Sequence, residues 1–217
     1  MAEKDWLLGE TPNPLGDRIE EIRSSLEQKN PGQLAARTGS IFSPSSETNG
    51  TFKLDYWARP IQIKYPEFSG SFIQTGESLN SFDLTMLGYY FDLCDGTPMT
   101  GQWIAFNQIP GGMFYAQAFQ GYTGDELAKV FKNDSEAFIE ANSQLNGRDE
   151  FFGNLSFSYQ VLPHVPIMVV CWLGDEDFPS SYRVLFDANA PHHLVTDAYA
   201  ILGSTLTRRL IKAYLKQ

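Results

Sequence analysis

Val169-Val170-Cys171-Trp172-Leu173-Gly174-Asp175-Glu176-Asp177-Phe178-Pro179 is an apolar run that stops abruptly at three successive carboxylates. The apolar part reaches back to Ile167, and a segment without polar interruptions has both faces covered, as in the central strand of a sheet. Gly174 and the acidic residues then end that strand in a turn, where charged groups reach water or a ligand. On the near side, Leu155, Phe157, Tyr159 and Val161 alternate with other residues and Pro163 and Pro166 punctuate; on the far side Tyr182 to Phe186 follows the turn. Three strands joined so tightly pair antiparallel, and the region predicts a meander.

Elsewhere the periodicity is mostly helical. Ile19, Ile22 and Leu26 share one helix face, and Asn30 before Pro31 opens a second short helix that Gly39 ends. Ser43 to Gly50 reads as loop. Phe52, Leu54 and Tyr56, then Ile61, Ile63 and Tyr65, alternate as the arms of a hairpin, and Pro66 to Glu77 reads as a polar connection. Leu84, Leu87, Phe91 and Cys94 form a helical stripe stopped at Asp95-Gly96. Gly101 to Tyr122 is too aromatic for disorder and too rich in glycine for one regular element, so an ordered loop is expected. Thr123 with Glu126 spells a capping box, Asn133-Asp134-Ser135 restarts the helix, and Tyr199, Leu202, Leu206, Leu210 and Ala213 mark a long C-terminal helix with Thr196 at its cap. No repeat or linker divides residues 1–217, which predicts a single α+β domain: a mainly antiparallel sheet with helices packed against it.

Composition narrows the function. With 42% hydrophobic residues the chain can bury a substantial core, and its net charge of −10 opposes docking on nucleic acid or anionic membrane. Glu3, Lys4 and Asp5 stand where a leader would be apolar, and no apolar run is long enough to span a bilayer, so a cytoplasmic protein is expected. Cys94 and Cys171 lack the spacing of a thiolate metal site and are expected to be reduced core thiols.

Three groups of residues bear on chemistry. Asp175, Glu176 and Asp177 are adjacent carboxylates at a strand end, a pattern that suits a divalent metal, a basic partner or a general acid, and equally a solvated turn in which one carboxylate caps backbone amides. Trp103, Phe106, Tyr115 and Trp172 can line a pocket for a flat apolar ligand, with Gly111 and Gly112 permitting close backbone approach; the same aromatics also suit a core. Neighbouring side chains on extended backbone point apart, so His192 and His193 make a poor chelating pair, although either can serve as an axial ligand to a tetrapyrrole metal. His164, between Leu162 and two prolines, suits a structural role in a loop. No phosphate-binding glycine motif, serine nucleophile elbow or Cys/His signature is present.

Ala35-Ala36-Arg37-Thr38-Gly39, Gly101-Gln102-Trp103-Ile104-Ala105-Phe106, Pro110-Gly111-Gly112-Met113-Phe114-Tyr115, and Trp172 to Pro179 followed by Leu185-Phe186-Asp187 occur in that order. In this the chain resembles the DUF3786 family of anaerobic bacteria and archaea, over about residues 35–202. The resemblance implies a link to one-carbon, corrinoid or iron–sulfur metabolism but carries no established activity. Some relatives are fused to a Cys-rich iron–sulfur module, which this sequence does not contain, so any cluster would sit in a partner. The motif positions that transfer are Pro110, Gly111 and Gly112, and Gly174, Asp175, Glu176, Asp177 and Phe178. The expectation is a cofactor- or partner-binding accessory protein, with Trp103, Phe106, Gly111, Gly112, Tyr115, Trp172, Gly174, Phe178, His192 and His193 around a corrinoid or haem, or with an iron–sulfur or corrinoid protein as its partner. The alternatives are an enzyme using Asp175, Glu176 or Asp177 as general acid, base or metal ligand, and a purely structural motif in which Asp175 or Asp187 caps amides.

Overall fold

The computed structural model describes residues 14–46 and 49–216; the charged N-terminal stretch and the side chain of Ile19 lie outside the described residues. In chain order the elements are α1 (Pro14–Glu27), α2 (Pro31–Thr38), β1 (Ile41–Pro44), β2 (Gly50–Tyr56), β3 (Arg59–Tyr65), β4 (Ser69–Phe72), α3 (Ser81–Leu93), β5 (Trp103–Ala105), α4 (Ala116–Tyr122), α5 (Gly124–Phe131), α6 (Ser135–Gln144), β6 (Arg148–Asp149), β7 (Leu155–Leu162), β8 (Val165–Trp172), β9 (Ser181–Asp187) and α7 (Thr196–Tyr214). The chain is α+β, with every strand pairing antiparallel and a long C-terminal helix. The strands form two sheets rather than one, in the orders β1-β2-β3-β4 and β5-β9-β8-β7-β6.

The apolar run is the middle of the larger sheet. Ile167 stands between Tyr159 and Phe186, and Val169 between Phe157 and Val184. From Val165 to Cys171 every residue of β8 is buried, because each face has its own cover. Ile167, Val169 and Cys171 join the main core with the helices, while Met168 and Val170 pack with Leu185 against Trp103, Ala105 and Trp172 on the opposite face. Each aliphatic side chain so buried contributes roughly 1.5–3 kcal/mol.

The sheets meet where β2 approaches β7, and Trp57 N donates to the Val161 carbonyl at 2.9 Å. Trp57 and Ala58 form the two-residue turn of the β2–β3 hairpin, both with left-handed backbone (φ 53° and 56°). That geometry matches the strand twist but normally falls to Asn-Gly, so two side chains with a Cβ here are costly.

Local signals succeed where they are strong. Asn30 Oδ1 accepts from Gln33 N at 3.1 Å, and Asp134 Oδ1 accepts from Ala137 N at 2.9 Å, as helix caps do. Gly39 ends α2 with φ 66°, and a Cβ there would stand 2.9 Å from Pro163 Cβ. Other expectations are corrected. The expected loop at Ser43 to Gly50 begins inside β1, whose exposed residues carry no alternation, and β4 lies within the expected connection Pro66 to Glu77. Gly101 to Tyr122 holds β5, two short 3₁₀ turns and α4 rather than the expected ordered loop. Thr123 makes no capping box: its hydroxyl donates to the Phe119 carbonyl. Thr196 is the first residue of α7 and its hydroxyl donates to Pro110 O at 2.6 Å, tying the glycine-rich segment to the C-terminal helix.

Candidate functional site

The acidic turn lies on the surface. Asp175 Oδ1 accepts from the backbone N–H groups of Asp177 and Phe178, each at 2.9 Å, and these two bonds hold its carboxyl below the usual carboxylate range. Gly174 is pinned to Asn133, whose Oδ1 accepts from Gly174 N at 2.7 Å and whose Nδ2 donates to Gly174 O at 3.1 Å. Glu176, Asp177 and Phe178 are exposed, and the turn lines none of the five best-formed recesses among the described residues. Nor do any three histidine, cysteine or carboxylate groups among the described residues gather around one point where a metal ion would sit.

The aromatic residues divide between three environments. Phe106 is core, stacked on Phe119 with ring centroids 4.2 Å apart. Trp103 and Trp172 share the small cluster on the outer face of β8, and Tyr115 is exposed. Gly112 does permit a close approach, but of the chain to itself: a Cβ there would lie 2.0 Å from the Phe106 carbonyl oxygen. The single recess expected from Trp103, Phe106, Tyr115, Trp172 and the acidic turn therefore does not form, because Phe106 and the tryptophans are spent on two different cores.

What converges instead is the histidine inventory. The His193 and His164 rings are stacked with centroids 5.3 Å apart, and His192 lies 6.4 Å from His193. Cys94, the residue that ends α3, brings Sγ to 3.2 Å from His193 Nδ1 and donates its thiol hydrogen to the Arg37 carbonyl at 3.0 Å. Asn189 Nδ2 donates to the His164 carbonyl at 3.1 Å and stands 3.0 Å from His193 Nε2. An amide N–H requires an acceptor, so Nε2 carries the lone pair and Nδ1 the hydrogen that faces sulfur.

This Cys94–His193–Asn189 arrangement has the connectivity of a thiol catalytic triad and the electrostatics of a core. Cys94 and His193 are fully buried. Burial pushes the thiol up, and burial with the neighbouring His164 pulls His193 down to about 4. Both members are neutral at pH 7, the opposite of an activated thiolate–imidazolium pair.

Asp187, also buried, organises the flank. Its carboxylate accepts from Thr100 N (3.0 Å), Thr100 Oγ1 (2.8 Å), Gly101 N (2.7 Å) and Asn189 N (2.9 Å). One side chain thus fixes both the segment after α3 and the turn that presents the histidines.

His192 points the other way from His193, outward. Its Nδ1 lies 2.7 Å from Asp95 Oδ2, and Nε2 has no hydrogen-bond partner among the described residues. Donation first from Thr97 and then from His192 holds the Asp95 carboxyl well below the usual range. The pair opens on a recess of about 440 Å³ whose other walls include Leu93, Ile109, Pro110, Leu194 and Val195. Among the sequence-derived candidates, His192 and the Pro110 end of the glycine-rich motif come together here. Cys94, Asp95, Asn189 and Asp187 were not assigned to a ligand site from the sequence, where Cys94 reads as a core thiol, Asp95 as part of a helix stop and Asp187 as an amide cap.

No helix among the described residues is long and apolar enough to cross a membrane. Comparison with curated proteins and with solved structures gives no match. The model of a protein family described as a domain of unknown function (DUF3786) matches residues 30–209, and the chain belongs to that family.

Proposed function

We propose that the protein is a cofactor-binding module rather than an enzyme, and that it seats a flat, largely apolar cofactor of the tetrapyrrole class, corrinoid or haem, in the recess beside His192. The observation that supports this most directly is the Asp95–His192 pair. A histidine that ligates a metal characteristically gives its other ring N–H to a carboxylate, which fixes the tautomer and raises the basicity of the free nitrogen. His192 has that arrangement, with Nε2 open beside an apolar wall. The residues fit the group: His192 would hold its metal, Asp95 would orient the imidazole, and Leu93, Ile109, Leu194 and Val195 would cover part of its face. The bound group itself would supply metal-centred or redox chemistry. On this reading the protein works in the cytoplasm of an anaerobe, with a small-molecule cofactor or a corrinoid or iron–sulfur protein as partner.

Titration of the purified protein with haem and, separately, with a corrinoid tests the proposal. The expected result is a shifted visible spectrum and quenched tryptophan fluorescence with at least one of them. The spectral shift should be lost in His192→Ala and weakened about tenfold or more in Asp95→Asn, the usual range for an outer-shell partner. Unchanged spectra with both ligands, or full binding by His192→Ala, would sink it.

A further inference from the structure

A second recess, of about 240 Å³, lies beside the β2–β3 hairpin turn, with Tyr56, Trp57 and Arg59 in its wall, and is polar where the first is apolar. Its charged lining is Arg59, Glu77, Asp83 and Arg209, two cations and two carboxylates. The Arg59 guanidinium sits over the Phe72 ring, 3.6 Å from its centroid, and that of Arg209 over Trp57 at 4.1 Å. Contact through an aromatic face holds a guanidinium in place without using its hydrogen-bond donors on an acceptor. Neither guanidinium forms a hydrogen bond or an ion pair among the described residues.

Across from them Asp83 is held by Tyr56, whose hydroxyl donates to Oδ1 at 3.1 Å. Asp83 is half-buried, and burial raises its carboxyl above the usual range. Opposite charges that share a partly closed recess normally collapse into a pair. Here they stay apart, with Arg59, Arg209 and Asp83 each fixed by an aromatic neighbour. Trp57 reaches its place only through a left-handed backbone that a bulky residue rarely adopts.

We infer that this recess binds a small zwitterion of the α-amino acid class, its carboxylate received by Arg59 and Arg209 and its ammonium by Asp83 and Glu77. The charge count selects the ligand. A simple anion meets the two carboxylates and a simple cation meets the two guanidiniums, whereas one compact molecule with both charges satisfies each side. The size agrees, since the recess is smaller than the roughly 300–1,000 Å³ of pockets for larger ligands.

Thermal melts in the presence of each free amino acid at millimolar concentration test the inference, with acetate and methylammonium as the two half-ligands. At least one amino acid should raise the melting temperature by about 3 °C, with neither half-ligand doing so. Calorimetric affinity for that amino acid should fall at least tenfold in both Arg59→Gln and Asp83→Asn. Arg59 is exposed and Asp83→Asn retains an acceptor for Tyr56, so both variants should fold, and haem or corrinoid binding at His192 should be the same as in the parent. No shift with any amino acid, an equal shift with acetate alone, or undiminished affinity in the two variants would overturn it.

Discussion

His193 holds its imidazole neutral inside the protein, and this gives a pH signature. Its folded-state value of about 4 lies below the ordinary 6.5. Between those values the unfolded chain takes up a proton that the folded one refuses, so the stability due to neutral His193 is complete above pH 6.5 and declines as the pH falls towards 4. The amount at stake is on the order of 3 kcal/mol. Urea denaturation at pH 7.5 and 4.5 should show this loss in the parent, and His193→Gln should flatten the difference although it is less stable throughout. Asp175 presents the contrasting case. Its exposed carboxylate caps two amides of a surface turn, so Asp175→Asn should leave the urea midpoint close to that of the parent and any haem or corrinoid binding intact. A ligand phenotype in that variant would restore the acidic turn as a functional site. Both residues stood out in the sequence, but a carboxylate cluster and a histidine pair look alike there whether they face solvent or core.

Elements are joined here by single polar groups placed at their ends. Asp187 closes β9 and takes four hydrogen bonds from the segment after α3 and the turn before α7. Asp187→Ala leaves buried donors without an acceptor and should cost roughly 3 kcal/mol, with faster amide exchange at Thr100 and Gly101. Exchange confined to the N-terminal helices would contradict the assignment. On β8, Ile167→Ala should cost roughly 2–5 kcal/mol, because both neighbouring strands and the helices close around that position. Strand β8, helix α2 and helix α7 were legible because continuous apolar residues, an Asn-Pro cap and a stripe at spacings of three and four are local signals. Strands β1, β4 and β5 were not: each has four residues or fewer and is specified by its partner strand. The Thr123 and Thr196 hydroxyls show the same limit, since both point to distant or preceding carbonyls that no capping pattern encodes.

At the scale of the whole molecule, one main cluster of buried residues runs from Ile22 in α1 to Ala213 in α7 and takes in both sheets. Residues sharing a core unfold together, so near- and far-ultraviolet circular dichroism should report coincident denaturant transitions. Two resolved transitions would separate the sheets into independent units. The net charge of −10 should likewise leave the protein without measurable affinity for duplex DNA at physiological salt. The α+β class, the central meander, the helices capped by Asn30 and Asp134 and the family membership were settled by the order of residues alone, because periodicity, turn chemistry and motif succession act over a few neighbouring positions. Which side chains meet was decided only by folding. Cys94 and His193 are 99 positions apart, Asp95 and His192 are 97 apart, and Arg59 meets Arg209 across two elements distant in the chain. Such encounters depend on how helices and sheets stack, and stacking is set by the shape of the shared core rather than by any local run of residues.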